Sequence, residues 1–282
     1  MATLESNRYG KFRVRVMKVI RHDESHHDVC ELEADVLLQG DLAGSYLSDD
    51  NSSIVPTDTV KNTVHLLAHD HLTTCRTSFA NVIGEHFLDT YPHLSGVTVE
   101  LRERKWERMT IEGSAHPHSF VHAANGEPFS RGIFQRGHEP VLSSGIRGHL
   151  VMKTTASSFT GYNVCDLTTL PPATDRVFAT RLTAEWTFCD KTAYFPTTDA
   201  SVLSAVHEIF ATTHSPSVQR TLYQIGELAL ERVPAIRRID LKMPNVHFLG
   251  LDLAKLGRPD QKVVLLPTDE PAGEIEAVIV RE

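Results

Sequence analysis

A chain of 282 residues with 41% hydrophobic and 23% charged residues is long enough to bury a substantial core and has an ordinary globular composition. Its formal charge of -8 argues against binding nucleic acid through phosphate contacts, and no apolar run approaches the ~20 residues of a membrane span. The N-terminus carries no apolar signal core, and Cys30, Cys75, Cys165 and Cys189 are widely spaced, so free thiols in a reducing cytosol are expected.

In "KFRVRVMKVIRH", Phe12, Val14 and Val16 alternate with Arg13 and Arg15, the pattern of a half-buried strand. "RHDESHHD" (21–28) is wholly polar and reads as a hairpin turn before the partner strand "DVCELEADVLLQG". "HPHSF" (116–120) is the second histidine cluster. Neither has a recognised metal-ligand spacing, so no metal site is expected from them.

"NSSIVPTDTVKNTV" (51–64) leads into a helix whose stripe is Val60, Val64 and Leu67. A Thr or Asp there would cap the helix. The free amides of the same turn would also suit an anion or a polarised carbonyl. A second helix carries Phe79, Val82, Ile83 and Phe87 on one face, and "GVTVELRERKWERM" returns to period two through Val97, Val99 and Leu101. "HSFVHA" is a further strand candidate.

The second half repeats this order. Leu182, Ala184, Trp186 and Phe188 alternate in one strand. A helix follows with Val202, Val206, Ile209 and Phe210. The next presents Val218, Leu222 and Ile225, with Ser215 as its expected N-cap and Pro216 in its first position. Two ββααββ units, 1–138 and 139–282, are therefore expected, in an α+β fold with helices on one face of antiparallel sheets. Sheets of this kind leave edges that association would close.

"RYGKFRV", "NSSIVPTDTVKNTV", "HPHSF", "SSFTGY", "TDRVFATR", "SVQRTLY" and "MPNVHF" together closely resemble the urate oxidase (uricase) family, over almost the whole chain. The resemblance implies the tunnelling fold, two tandem units per subunit with four subunits stacked into a barrel and active sites at subunit interfaces. It implies oxidation of urate by O2 and water to 5-hydroxyisourate and hydrogen peroxide, with no metal and no organic cofactor. Residue by residue, it makes Phe159 the stacking partner of the purine, Arg176 and Gln219 the donors and acceptors at two ring edges, and Val218 a backbone contact. Thr57 and Asp58 meet a third edge. Lys11, Thr57 and His247 form the proton relay, and Asn245 holds O2 and then water. Pro56 replaces an alanine common in the family, the first turn is richer in histidine, and the C-terminus "AVIVRE" is not a peroxisomal address, which points to a cytoplasmic bacterial-type enzyme. The alternative is a purine- or pterin-binding protein of the same fold without oxidase turnover. It would keep Phe159, Arg176 and Gln219 and have no use for Lys11, Thr57 and His247.

Overall fold

The computed structural model describes residues 2–193, 195–258, 263–268 and 270–282. It is α+β with antiparallel sheets, and it divides into two compact units, Met1–Gly145 with Trp186–Asp199 and Ile146–Glu185 with Ala200–Glu282.

In the first unit the chain forms β1 (Tyr9–Arg21), β2 (His27–Gly40), a short helix α1 (Ala43–Leu47), α2 (Thr57–His71), α3 (Arg76–Thr90), β3 (Leu94–Arg104), β4 (Trp106–Ile111), β5 (Ser114–His122) and β6 (Glu127–Gln135). The strands pair in the order β1-β2-β3-β6, while β4 and β5 make a separate ribbon. Ala34, Val36 and Leu38 of β2 lie opposite Leu101, Val99 and Val97 of β3, and all six are buried. The period-two alternation puts these side chains on one face, and α3 packs on β3 and β6. Phe79, Ile83 and Phe87 are the buried stripe of α3. At Gly84 a β-carbon would sit 2.2 Å from the Phe134 ring, so this glycine lets the helix backbone approach the sheet. Phe87 is fully buried, and its truncation to alanine would cost ~3–5 kcal/mol.

The β1 pattern is only partly as expected. Val14 is buried, but Phe12 is 55% exposed. The register against β2 shifts between Lys11 and Val14, and Arg13 takes a positive φ of 58°. This bulge turns Phe12 off the inner face. The stretch expected as one strand from Gly96 breaks after Arg104 into β3 and β4, while α1 and β6 carry no strong periodicity and were not anticipated.

β7 (Val141–Lys153) and β8 (Phe178–Phe188) run through parts of both units, as does α4 (Phe195–Thr212). The second unit continues with α5 (Val218–Arg232), β9 (Ile236–Lys242), β10 (Asn245–Gly250), β11 (Leu265–Thr268) and β12 (Glu276–Val280). β8 pairs with β9 and β10, β10 with β11, and β9 with β12. Val218, Leu222, Ile225 and Ala229 are buried where α5 packs on β9 and β12. Among the described residues no helix is long and apolar enough to cross a membrane.

Candidate active site

The residues singled out in the sequence fall into two clusters, one in each unit. In the first, Lys11 is half-buried on β1, opposite Val36 and immediately before the bulge. Gly10 makes this path possible, since a β-carbon there would lie 1.8 Å from the Val36 carbonyl oxygen. Two residues before Lys11, the Tyr9 hydroxyl donates to the Val55 carbonyl (3.0 Å) and accepts from the Val55 amide (2.7 Å). Val55 in turn lies two residues before Thr57, so one side chain ties the start of β1 to the start of α2. Lys11 is close enough for its charge to lower the Asp58 pKa, a minor contribution beside the hydrogen bond from Lys61.

No side chain caps α2. The N-cap is Pro56, which has no side-chain acceptor to offer, and Thr57 and Asp58 are the first two helical residues. The expected Thr or Asp cap is therefore corrected. The Asp58 carboxylate instead accepts from Lys61 Nζ (2.5 Å) and Asn62 Nδ2 (3.0 Å), further along the helix. The leading amides keep the positive end of the helix dipole unshielded by a cap.

The second cluster is built on the segment between β7 and β8. Phe159 pairs with Ala173 by two backbone hydrogen bonds (2.7 and 3.0 Å), and the Arg176 amide donates to the Ser157 carbonyl (2.8 Å). These bonds set the Arg176 guanidinium carbon 5.3 Å from the Phe159 ring centroid. Tyr162 stacks on the same ring at 4.9 Å. Burial lowers the Arg176 pKa, and its Nε is a buried donor without a partner. Ser157 Oγ and Thr180 Oγ1 are likewise buried without partners. Unpartnered buried polar atoms are costly, and a buried guanidinium with a free donor marks a place where a polar ligand would supply the missing bond.

Sequence reasoning missed the residues that hold this frame. Asp175 accepts from Thr155 Oγ1 (2.7 Å) and the Ser157 amide (3.4 Å), bracing a turn in which Ala156 has a φ of 59°. Ser215 joins three parts of this frame: its amide donates to the Ala156 carbonyl (2.9 Å), its carbonyl accepts from the Ser158 amide (2.8 Å), and its hydroxyl accepts from Thr221 on α5 (2.7 Å). It is therefore not the N-cap of α5, as its place before a proline led us to expect. Ser217 is the cap, accepting from the Arg220 amide at 3.2 Å, and the helix starts at Val218. Through Ser215 the Phe159–Arg176 segment is fixed to the turn that carries buried Val218 and exposed Gln219.

Asn245 and His247 lie on β10. Asn245 pairs with Thr180 of β8 and Val246 with Ala179, so β10 lies against the start of β8, which follows Arg176 closely in the chain. The Asn245 amide donates to the Gly273 carbonyl (2.8 Å), and His247 pairs with Thr268 of β11. The structure thus groups Lys11, Thr57 and Asp58 in one unit and Phe159, Arg176, Val218, Gln219, Asn245 and His247 in the other.

A family model described as Uricase matches residues 7–131 and 142–276. A uricase of Dictyostelium discoideum is 38% identical, with 100% of this chain and 98% of its own length covered. One of Oryctolagus cuniculus is 38% identical over 97% of this chain and 93% of its own. The crystal structure of the uricase from Arthrobacter globiformis superposes with a TM-score of 0.94 at 33% identity, covering 100% of this chain and 96% of that one.

Proposed function

The chain belongs to the uricase family, and from that membership we infer that it is a urate oxidase, converting urate, O2 and water to 5-hydroxyisourate and hydrogen peroxide. The observation that carries the inference to this chain's own residues is the pairing of Phe159 with a buried arginine whose Nε lacks a partner. Urate is a flat anion. It needs an aromatic face to stack on, a contribution typically ~1–3 kcal/mol per ring, and a planar fork of donors at its edge. Phe159 and Arg176 meet those needs. Gln219 offers an amide's paired donor and acceptor to the imide-like edge, beside the Val218 backbone, and the amides of Thr57 and Asp58 meet the remaining edge.

Electron transfer to O2 is easier from the more negative ring, so the substrate must lose a further proton. A threonine hydroxyl is a hopeless base unless its own proton has somewhere to go. Thr57 takes the substrate proton as Lys11, in its neutral amine form, takes that of Thr57 to become an ammonium, and His247 extends the relay. Asn245 holds O2 above the ring and afterwards the water that attacks it. A dry pocket protects the charged intermediates from side reactions. Each chain is proposed to hold two tandem tunnelling-fold units, 1–138 and 139–282. Four chains close a barrel, with active sites at the subunit interfaces. Exposed apolar side chains on strands, among them Met17, Ile133, Leu150 and Met152, support such burial. Four free cysteines support a cytoplasmic setting.

Mixing purified protein with urate tests this reading. Loss of the ultraviolet band of urate with matching formation of peroxide is expected. Saturable urate binding with no loss of the band would instead identify a purine-binding protein without turnover.

A further inference from the structure

The turn between β1 and β2 gathers three side chains that none of the proposed chemistry uses. His22 Nε2 lies 2.7 Å from Asp28 Oδ2, and the ring of His26 is 5.4 Å from that of His22. The ligating atoms of His22, His26 and Asp28 all lie within 4.8 Å of one another. Linear spacing hid this convergence, because the hairpin folds positions 22, 26 and 28 back on one another.

The backbone beneath them is held. The His22 amide donates to the His26 carbonyl (3.0 Å). Asp23 Oδ1 accepts from the amides of Ser25 and His26 (both 2.7 Å) and from the Ser25 hydroxyl (3.0 Å). Arg108 on β4 braces the turn from the neighbouring ribbon. Its Nη2 donates to the His27 carbonyl (2.6 Å) and to Asp28 Oδ1 (2.5 Å), and its Nη1 to the His116 carbonyl (3.1 Å). Asp28 thus has one oxygen oriented by an arginine and the other bonded to the His22 imidazole.

We propose that His22, His26 and Asp28 form a divalent transition-metal site, most suited to Zn2+, remote from urate chemistry. Two imidazoles and one carboxylate are a donor set for borderline ions such as Zn2+, Ni2+ or Cu2+, and a poor one for Mg2+ or Ca2+, which favour oxygen. Zn–N and Zn–O bonds of about 2.0–2.2 Å place tetrahedral ligand atoms roughly 3.3 Å apart. Shifts of about 1 Å in partly exposed side chains reach that geometry. The fourth position is left to water. The nearby guanidinium opposes the ion, but Arg108 is already neutralised through Asp28 Oδ1. It surrenders only its contact with His26 Nε2, which at 3.4 Å is long. Its hold on the carboxylate is the kind of outer contact that orients a metal ligand. A bound ion would join the end of the β1–β2 hairpin and stabilise the folded chain by mass action.

The test is calorimetric titration of untagged, chelator-stripped protein with ZnCl2, and separately with MgCl2. One Zn2+ per chain is expected at this site with no saturable Mg2+ binding. That equivalent should vanish in His22→Ala/His26→Ala, and Asp28→Asn should weaken it by about 10- to 100-fold. A zinc isotherm unchanged in the double variant overturns the proposal, as does Mg2+ binding of equal strength at these residues. Carbethoxylation mapped by mass spectrometry on the unaltered chain needs no variant. Zn2+ should protect His22 and His26 while leaving exposed His69 reactive, and equal modification of all three with and without Zn2+ would refute the site.

Discussion

The Tyr9 hydroxyl bonds both backbone polar groups of Val55, donating to its carbonyl at 3.0 Å and accepting from its amide at 2.7 Å. Lys11 and Thr57 each follow two residues after a partner in that contact. Tyr9→Phe removes both bonds and keeps the ring. It should cost ~1–3 kcal/mol of stability from the polar groups left unpaired. If Tyr9 positions the relay, kcat falls by about 10- to 100-fold with KM for urate little changed, since small misplacements of reacting groups have large effects. Equal melting loss with normal kcat would make Tyr9 structural only.

Asp175 braces the turn that sets Phe159 against Arg176. Asp175→Ala should raise KM for urate about 2- to 10-fold, the worth of one net hydrogen bond, and leave kcat near normal. Asp175→Asn, which keeps an acceptor for Thr155, should recover part of the loss. A fall in kcat with unchanged KM would place Asp175 in the chemistry instead.

Arg176→Lys keeps the charge and loses the planar fork. Urate affinity should drop by about 1–3 kcal/mol, roughly 5- to 150-fold, in equilibrium binding measured without O2. A variant that binds as tightly as the parent removes Arg176 from the site.

The first cluster's unit also contains a carboxylate with an unusual titration. Burial pushes the Asp199 pKa up from 3.8 to about 6, despite the Arg76 guanidinium (3.0 Å) and the Trp186 indole N–H (2.9 Å) bonded to it. Below pH 4 folded and unfolded chains both hold the proton. Between about 4 and 6 only the folded chain keeps it, so rising pH favours unfolding. Above 6 both are ionised and the cost is complete, roughly 3 kcal/mol at most. Asp199→Asn should therefore gain stability relative to the parent as pH rises from 4.5 to 6.5, read from denaturant midpoints. A constant difference over that window would contradict the shift.

How much of this was legible depended on what carried the signal. The stripes of α2 and α5 were readable because buried apolar residues recur at helical spacing: Val60, Val64 and Leu67 in one, Val218, Leu222 and Ile225 in the other. Phe12 misled because a bulge reverses the alternation, and nothing local in "GKFRV" announces it. Ser215 misled because its hydroxyl is taken up by Thr221, while its backbone is tied to Ala156 and Ser158, partners remote in sequence. The candidate site residues were legible only as motifs in a recognised order. Tyr9, Asp175 and Ser215 carry no motif role, although their places beside Lys11, Arg176 and Val218 were a usable hint.

The central claim is that Lys11 and Thr57 act as one relay on urate. Steady-state rates for Lys11→Met, Thr57→Ala and the double variant, taken beside their melting curves, test it most directly. Each single change should slow turnover by about 10²- to 10⁴-fold. Groups that work as a unit lose activity non-additively, so the double variant should be little slower than either single one and still bind urate. Additive losses would contradict the relay. So would a Thr57→Ala protein that turns over urate at nearly the parent rate.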